Sequence, residues 1–98
     1  MSRYIVPTDK EPNQTFLINI EGKRVYLTLL TRGQYIYANI KIEDEEKLNG
    51  IVCLNKTNIL QYNTTGLKGK LYFEDTQGDF DPIYFGLNDR WILYYEEN

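Results

Sequence analysis

The chain has 98 residues, 11 Lys and Arg against 14 Asp and Glu for a net charge of −3, and no histidine. That length suits a single domain, and the scattered cations supply neither the basic patch that nucleic-acid backbones require nor a polybasic membrane surface. Without histidine, the commonest general base, the usual transition-metal ligand and the Ser-His and Cys-His nucleophile systems are all missing.

Aromatic residues make up 14% of the chain, and 9 of them are tyrosines, which tolerate a packed ring with a wet hydroxyl. The opening MSRYIVPTDKEP has no apolar core of a signal peptide, and no apolar run nears the roughly 20 residues of a membrane-spanning helix. Cys53, the one cysteine, lies in the apolar run IVCL and reads as a small core residue. These features point to synthesis in a reducing cytoplasm. Three N-x-T sequons, at Asn13, Asn55 and Asn63, lack a secretory route and are attributed to chance.

Residues 1–11 are expected to form an N-terminal arm whose RYIV piece has strand propensity; residues 12–98 form the domain. PNQTF (12–16) turns into the first regular segment. In TFLINI, Phe16, Ile18 and Ile20 share one face, the period of two that marks a strand. After Glu21-Gly22-Lys23, a break suited to a tight hairpin, KRVYLTLLT aligns Val25, Leu27 and Leu29. A second turn at Thr31–Gln34 leads to YIYANIKI, with Ile36, Ala38, Ile40 and Ile42 opposite Tyr35 and Tyr37. These three strands are expected to form a meander.

The acidic run Glu43-Asp44-Glu45-Glu46 and Asn49-Gly50 are expected to form a solvated connection to a short strand, Ile51–Leu54. From the turn-rich NKTNILQYNTTGLKG, Ile59, Leu60 and Tyr62 are expected to return to the core. KLYFED is a strand with Leu71 and Phe73 inward, and TQGDFDPIYFGLNDR is a long loop with one helical turn after Asp81-Pro82. WILYYE closes the chain with Trp91, Leu93 and Tyr95 on one face. No segment carries a helical period. The fold class predicted is all-β, a small antiparallel barrel or sandwich of six to seven short strands.

Chemistry is sought next in the carboxylates. The run 43–46 lacks the spaced ligands of a calcium loop. Asp75, Asp79 and Asp81 are better spaced but miss the D-x-D-x-D-G pattern and its distal Glu, so they read as a hydrogen-bonded loop brace. No catalytic, cofactor or metal residue is assigned and no cofactor is expected; the chain reads as a non-enzyme. The aromatics are the remaining constellation. Tyr35 and Tyr37, and Phe80, Tyr84 and Phe85 of the long loop, are the candidate partner-contact residues. Tyr94, like the tyrosines of the third predicted strand, has an equal reading as part of a cross-strand aromatic pair. A sugar-stacking platform on the tyrosine face is the alternative use.

The segments PNQTF, EGKRVYLTLL, LNGIVCLNKTNILQY, GLKGKLYFEDTQGDFDP and FGLNDRWILYYEE, in this order, resemble the small baseplate plug proteins of contractile-tailed bacteriophages of the cyanophage type. The resemblance runs from Pro12 to Glu97. It departs from the family at the third strand, where Tyr35 and Tyr37 stand in place of a frequent Trp, and it leaves residues 1–11 outside. It implies a non-catalytic structural part of a phage or phage-tail-like baseplate, a plug or adaptor near the hub and tail tube. Its implied partners are hub, tube and wedge proteins, with no nucleic acid and no membrane, and it would be present in multiple copies. The implied location is the virion tail, after synthesis in the host bacterial cytoplasm. The arm's RYIV is then expected to pair with a neighbour's sheet edge. A small carbohydrate- or peptide-binding β-barrel is the alternative function.

Overall fold

The computed structural model describes residues 2–60 and 65–97. Among these residues, seven strands form two antiparallel sheets. β2 (Asn13–Ile20), β3 (Lys23–Arg32), β4 (Tyr35–Ile42) and β5 (Glu45–Cys53) follow one another as a four-stranded meander. β1 (Arg3–Val6), β6 (Lys70–Asp75) and β7 (Trp91–Glu96) make the second sheet, in the order β1-β7-β6. The architecture is an all-β sandwich, not a closed barrel. Its shortest extent of 20 Å suits two layers about 10 Å apart plus their outer side chains.

Alternation builds the interior as the sequence predicts. Val25, Leu27 and Leu29 of β3 and Ile36, Ala38, Ile40 and Ile42 of β4 are buried. They meet Leu71 and Phe73 of β6 and Trp91, Leu93 and Tyr95 of β7. Cys53 is fully buried among them, and burial pushes its thiol up to about 12, which leaves it an inert core residue.

Two-residue hairpins set the meander's register. Glu21 and Gly22 have φ of 54° and 75°, the two positive values that a type I′ loop requires. The acidic run behaves differently from the expectation. Glu43 and Asp44 (φ 50° and 68°) are a second hairpin of this kind, and Glu45 and Glu46 already belong to β5. Arg24 sits across this turn: its amide donates to Glu43 Oε1 at 2.7 Å, and its guanidinium meets Glu43 and Asp44 at 3.3 and 3.5 Å. Half of the charges that look like a loop, Glu45 and Glu46, therefore lie on an edge strand, where they discourage further pairing. β5 also bulges around Asn49-Gly50, where Asn39 Oδ1 accepts the Gly50 amide at 2.6 Å.

The arm departs from expectation as well. Arg3–Val6 pairs within the chain, antiparallel to β7, with Tyr4 opposite Tyr95 and Val6 opposite Leu93. RYIV thus uses the edge of its own sheet. Arg3 lies 3.8 Å over the Tyr94 ring and donates to Tyr72 and Glu74. Tyr94 and Tyr72, with ring centroids 6.0 Å apart, form a cross-strand pair.

Past β5, the chain laces the two sheets together. Lys56 and Ile59 donate backbone hydrogen bonds to Phe73 and Leu71 of β6, both at 2.7 Å. Asn58 Oδ1 accepts the Leu71 amide at 3.0 Å, and Asn55 Oδ1 accepts the Asp75 amide at 2.8 Å. Ile59 and Leu60 are buried as expected; Tyr62 and the Asn63 sequon lie outside the described residues. At the far end Tyr95 donates its hydroxyl to Glu21 Oε2, which also accepts the Lys68 and Gly69 amides. Burial of Glu21 opposes ionisation, but these three donors outweigh it and hold the carboxyl below its ordinary value. Burial and the Glu21 bond push Tyr95 up to about 12.

Candidate partner-contact surface

The long loop 76–90 closes one end of the sandwich, and a single buried carboxylate organises it. In β6, Leu71, Phe73 and Asp75 share the inward face, so Asp75 points where a charge needs a partner. Arg90 supplies it through two 2.8 Å bonds, Nε to Oδ1 and Nη2 to Oδ2, and the Asp75 side chain has no exposed area. The same carboxylate accepts the amides of Gln77 at 2.9 Å and Phe80 at 3.0 Å. Arg90, with the loop amides adding to its effect, holds Asp75 well below the usual carboxylate range.

The other loop carboxylates are engaged too. Asp81 Oδ1 accepts the Asn55 amide at 2.9 Å, and Asp79 lies 3.9 Å from Lys56. Asp75 and Asp81 thus form the hydrogen-bonded brace the spacing suggests, while Asp79 stays exposed. Among the described residues no cluster of three metal-ligating side chains occurs.

The brace fixes Phe80 from both sides. Its amide is held by Asp75, and its carbonyl accepts the indole N–H of Trp91 at 3.0 Å. Arg90 lies 5.4 Å from the Phe80 ring and 4.5 Å from the Trp91 ring. The Phe80 side chain is nevertheless 69% exposed. An exposed ring on a pinned backbone loses little freedom when it is covered.

Around it the structure gathers some predicted residues and separates others. Tyr35, Phe80, Asp81, Ile83, Arg90 and Trp91 line one cleft of about 650 Å³. Phe85, 61% exposed, packs edge-on against the half-buried Tyr84 at 5.8 Å. These two begin the 3-10 turn Tyr84–Gly86, which is the helical turn expected after Pro82. Tyr37 lies elsewhere, on the outer face of the meander beside Leu30, Arg32 and Asn49. Trp91 is only 2% exposed and packs against Gly86, where the ring occupies the space of a Cβ. It is therefore core rather than a stacking platform.

Arg90 and Ile83 are contributors that the sequence reading misses. The signal for Arg90 was present: Asp75 falls on the apolar parity of KLYFED, which calls for a cation from elsewhere in the chain.

The model of one protein family, described as cyanophage baseplate Pam3 plug gp18, matches residues 3–98. The chain belongs to this plug family. The match takes in β1, the segment that the sequence resemblance left outside, and spans both sheets and the braced loop. The family is one of structural baseplate parts. No curated protein matches the chain. Among the described residues no helix is long and apolar enough to cross a membrane.

Proposed function

We propose that the chain is a non-catalytic plug or adaptor of a contractile-tail baseplate, seated near the central hub and tail tube. In this reading it is present in several copies and docks on neighbouring tail proteins through its braced aromatic end. Membership of the plug family supports a baseplate part. The observation that carries the docking surface is Phe80: its backbone is fixed by Asp75 and Trp91 while its ring stays exposed. Rigid aromatic anchors of this kind concentrate binding energy at protein interfaces. Tyr35, Ile83 and Phe85 widen the same apolar end; Tyr37 and the half-buried Tyr84 belong to the contact only if the neighbour reaches around it.

The test is the chain's recovery in purified tail particles, as wild type and as Phe80→Ala with Phe85→Ala. Truncating an interface hot spot costs about 2 kcal/mol or more. The expected result is therefore wild-type protein in fixed ratio to hub and tube proteins, with the double variant strongly depleted although its Tm is unchanged. Normal incorporation of the variant would remove the aromatic end from the interface. Absence of the wild-type chain from tails would overturn the baseplate reading itself.

A further inference from the structure

The two sheets have four edge strands, β1, β2, β5 and β6, and three of them carry some protection. β6 is covered by residues 55–60. β5 is bulged and charged. β1 is short, begins with Arg3 and is followed by Pro7. β2 has none of these. NQTFLINI is eight residues long, uncharged and free of proline, and it pairs with β3 in unbroken register. A long, flat, uncharged edge invites another strand.

The register shows which backbone groups are free. The two-residue loop makes Ile20 and Lys23 a hydrogen-bonded pair, so bonding residues alternate from there along β2. The 2.9 Å bond from the Thr31 amide to the Pro12 carbonyl fits this phase. Thr15, Leu17 and Asn19 therefore direct their amides and carbonyls away from β3, and among the described residues no strand pairs with them.

Beside this edge the sandwich gapes. Tyr4 stands opposite buried Tyr95 on the inward face of β1 yet is 53% exposed. Inward-facing Ile18 is only half-buried. Between them runs a groove of about 480 Å³, lined by Tyr4–Pro7 and Ile18–Glu21 with Tyr95 and Glu97. Among the described residues its charged lining groups are the carboxylates of Glu21 and Glu97.

We infer that β2 accepts an extended strand from another tail protein. The strand becomes the fifth of the meander sheet, lays its inward apolar side chains in the groove between Tyr4 and Ile18, and sets a Lys or Arg against Glu21 and Glu97. Backbone bonds to an exposed edge supply affinity, and the side-chain pockets supply selectivity. The source of the strand rests on the baseplate reading; the free edge and groove do not.

The test places a photo-crosslinking benzoylphenylalanine at Tyr4, and separately at Phe80, in chains assembled into tail particles, and sequences the crosslinked peptides. A crosslink from Tyr4 to one short segment of a different tail protein, apolar in alternation and bearing Lys or Arg, is the expected result. A Tyr4 crosslink to a second copy of this chain overturns the proposal. So does silence at Tyr4 in particles where Phe80 crosslinks, an outcome that leaves the baseplate reading intact. Absence of the chain from tails overturns both.

Leu17→Pro provides an independent arm, because the amide it removes is unused by the hairpin. Losing one such bond is expected to weaken incorporation about tenfold while the purified variant stays folded. Undiminished incorporation would refute pairing at β2. Should the variant fail to fold, the Tyr4 crosslink still decides.

Discussion

The two flanks of the sandwich handle the same problem in opposite ways. On the β6 flank each outward-facing residue has a backbone group met: the Leu71 amide and carbonyl by Asn58 and Ile59, the Phe73 carbonyl by Lys56, the Asp75 amide by Asn55. On the β2 flank Thr15, Leu17 and Asn19 are left open, and the inward-facing Tyr4 is in solvent. One chain thus both seals an edge and leaves one bare. Where backbone groups are sealed they contribute stability within the molecule; where they are left free they remain available to a second one.

The largest test of that contrast is Arg90→Ala. It strands the buried Asp75 charge under the sealed flank, and removing one partner of such a pair is expected to lower Tm by more than about 10 °C, read by calorimetry. A smaller loss would mean that solvent reaches Asp75. Acid attacks the same pair. Asp75 titrates below its ordinary value near ~3.9 in the folded chain, so its contribution is complete above that value and is lost as pH falls beneath it. Glu21 acts in the same direction at the other end. Tm measured from pH 7 downward should hold until about pH 4 and then drop; a flat profile would remove both carboxylates from the account.

Asn58→Ala sharpens the comparison at one side chain. It leaves the Leu71 amide, and the Leu60 amide that the same oxygen accepts, without an acceptor, and should cost about 1–3 kcal/mol in urea unfolding. At the open flank, Leu17→Ala should cost less than about 1 kcal/mol, since the side chain is already half in water. If these two values were reversed, the distinction between the flanks would fail.

Much of this arrangement was legible in the sequence. Phe16, Ile18 and Ile20, then Val25, Leu27 and Leu29, announce their shared faces by alternation, and Gly22 and Gly33 mark the turns. What escaped depends on partners distant in sequence. Nothing local in RYIV shows that β7 will receive it, and Asp75 does not name Arg90. Glu43-Asp44 was obscured by its own chemistry, because four acids in a row look like solvent-facing loop whether or not two of them begin a strand. The candidate contact surface was only half legible. Phe80 and Phe85 stood out because the loop offers them no regular face, whereas Tyr37 has strand neighbours that cover it partly.

The placement of β1 also has a consequence for how the chain comes together in time. The meander closes through adjacent hairpins, whereas β1 must wait for β7, nearly the whole chain later. Pairings so remote are slow to form. Pulse-labelled hydrogen exchange during refolding should therefore protect Leu27 and Ile40 before Tyr4 and Val6; simultaneous protection would contradict this order. The flank offered to a neighbour would then be the last part of the molecule to take shape, and β2's bare edge stands beside an unfinished sheet until β7 arrives.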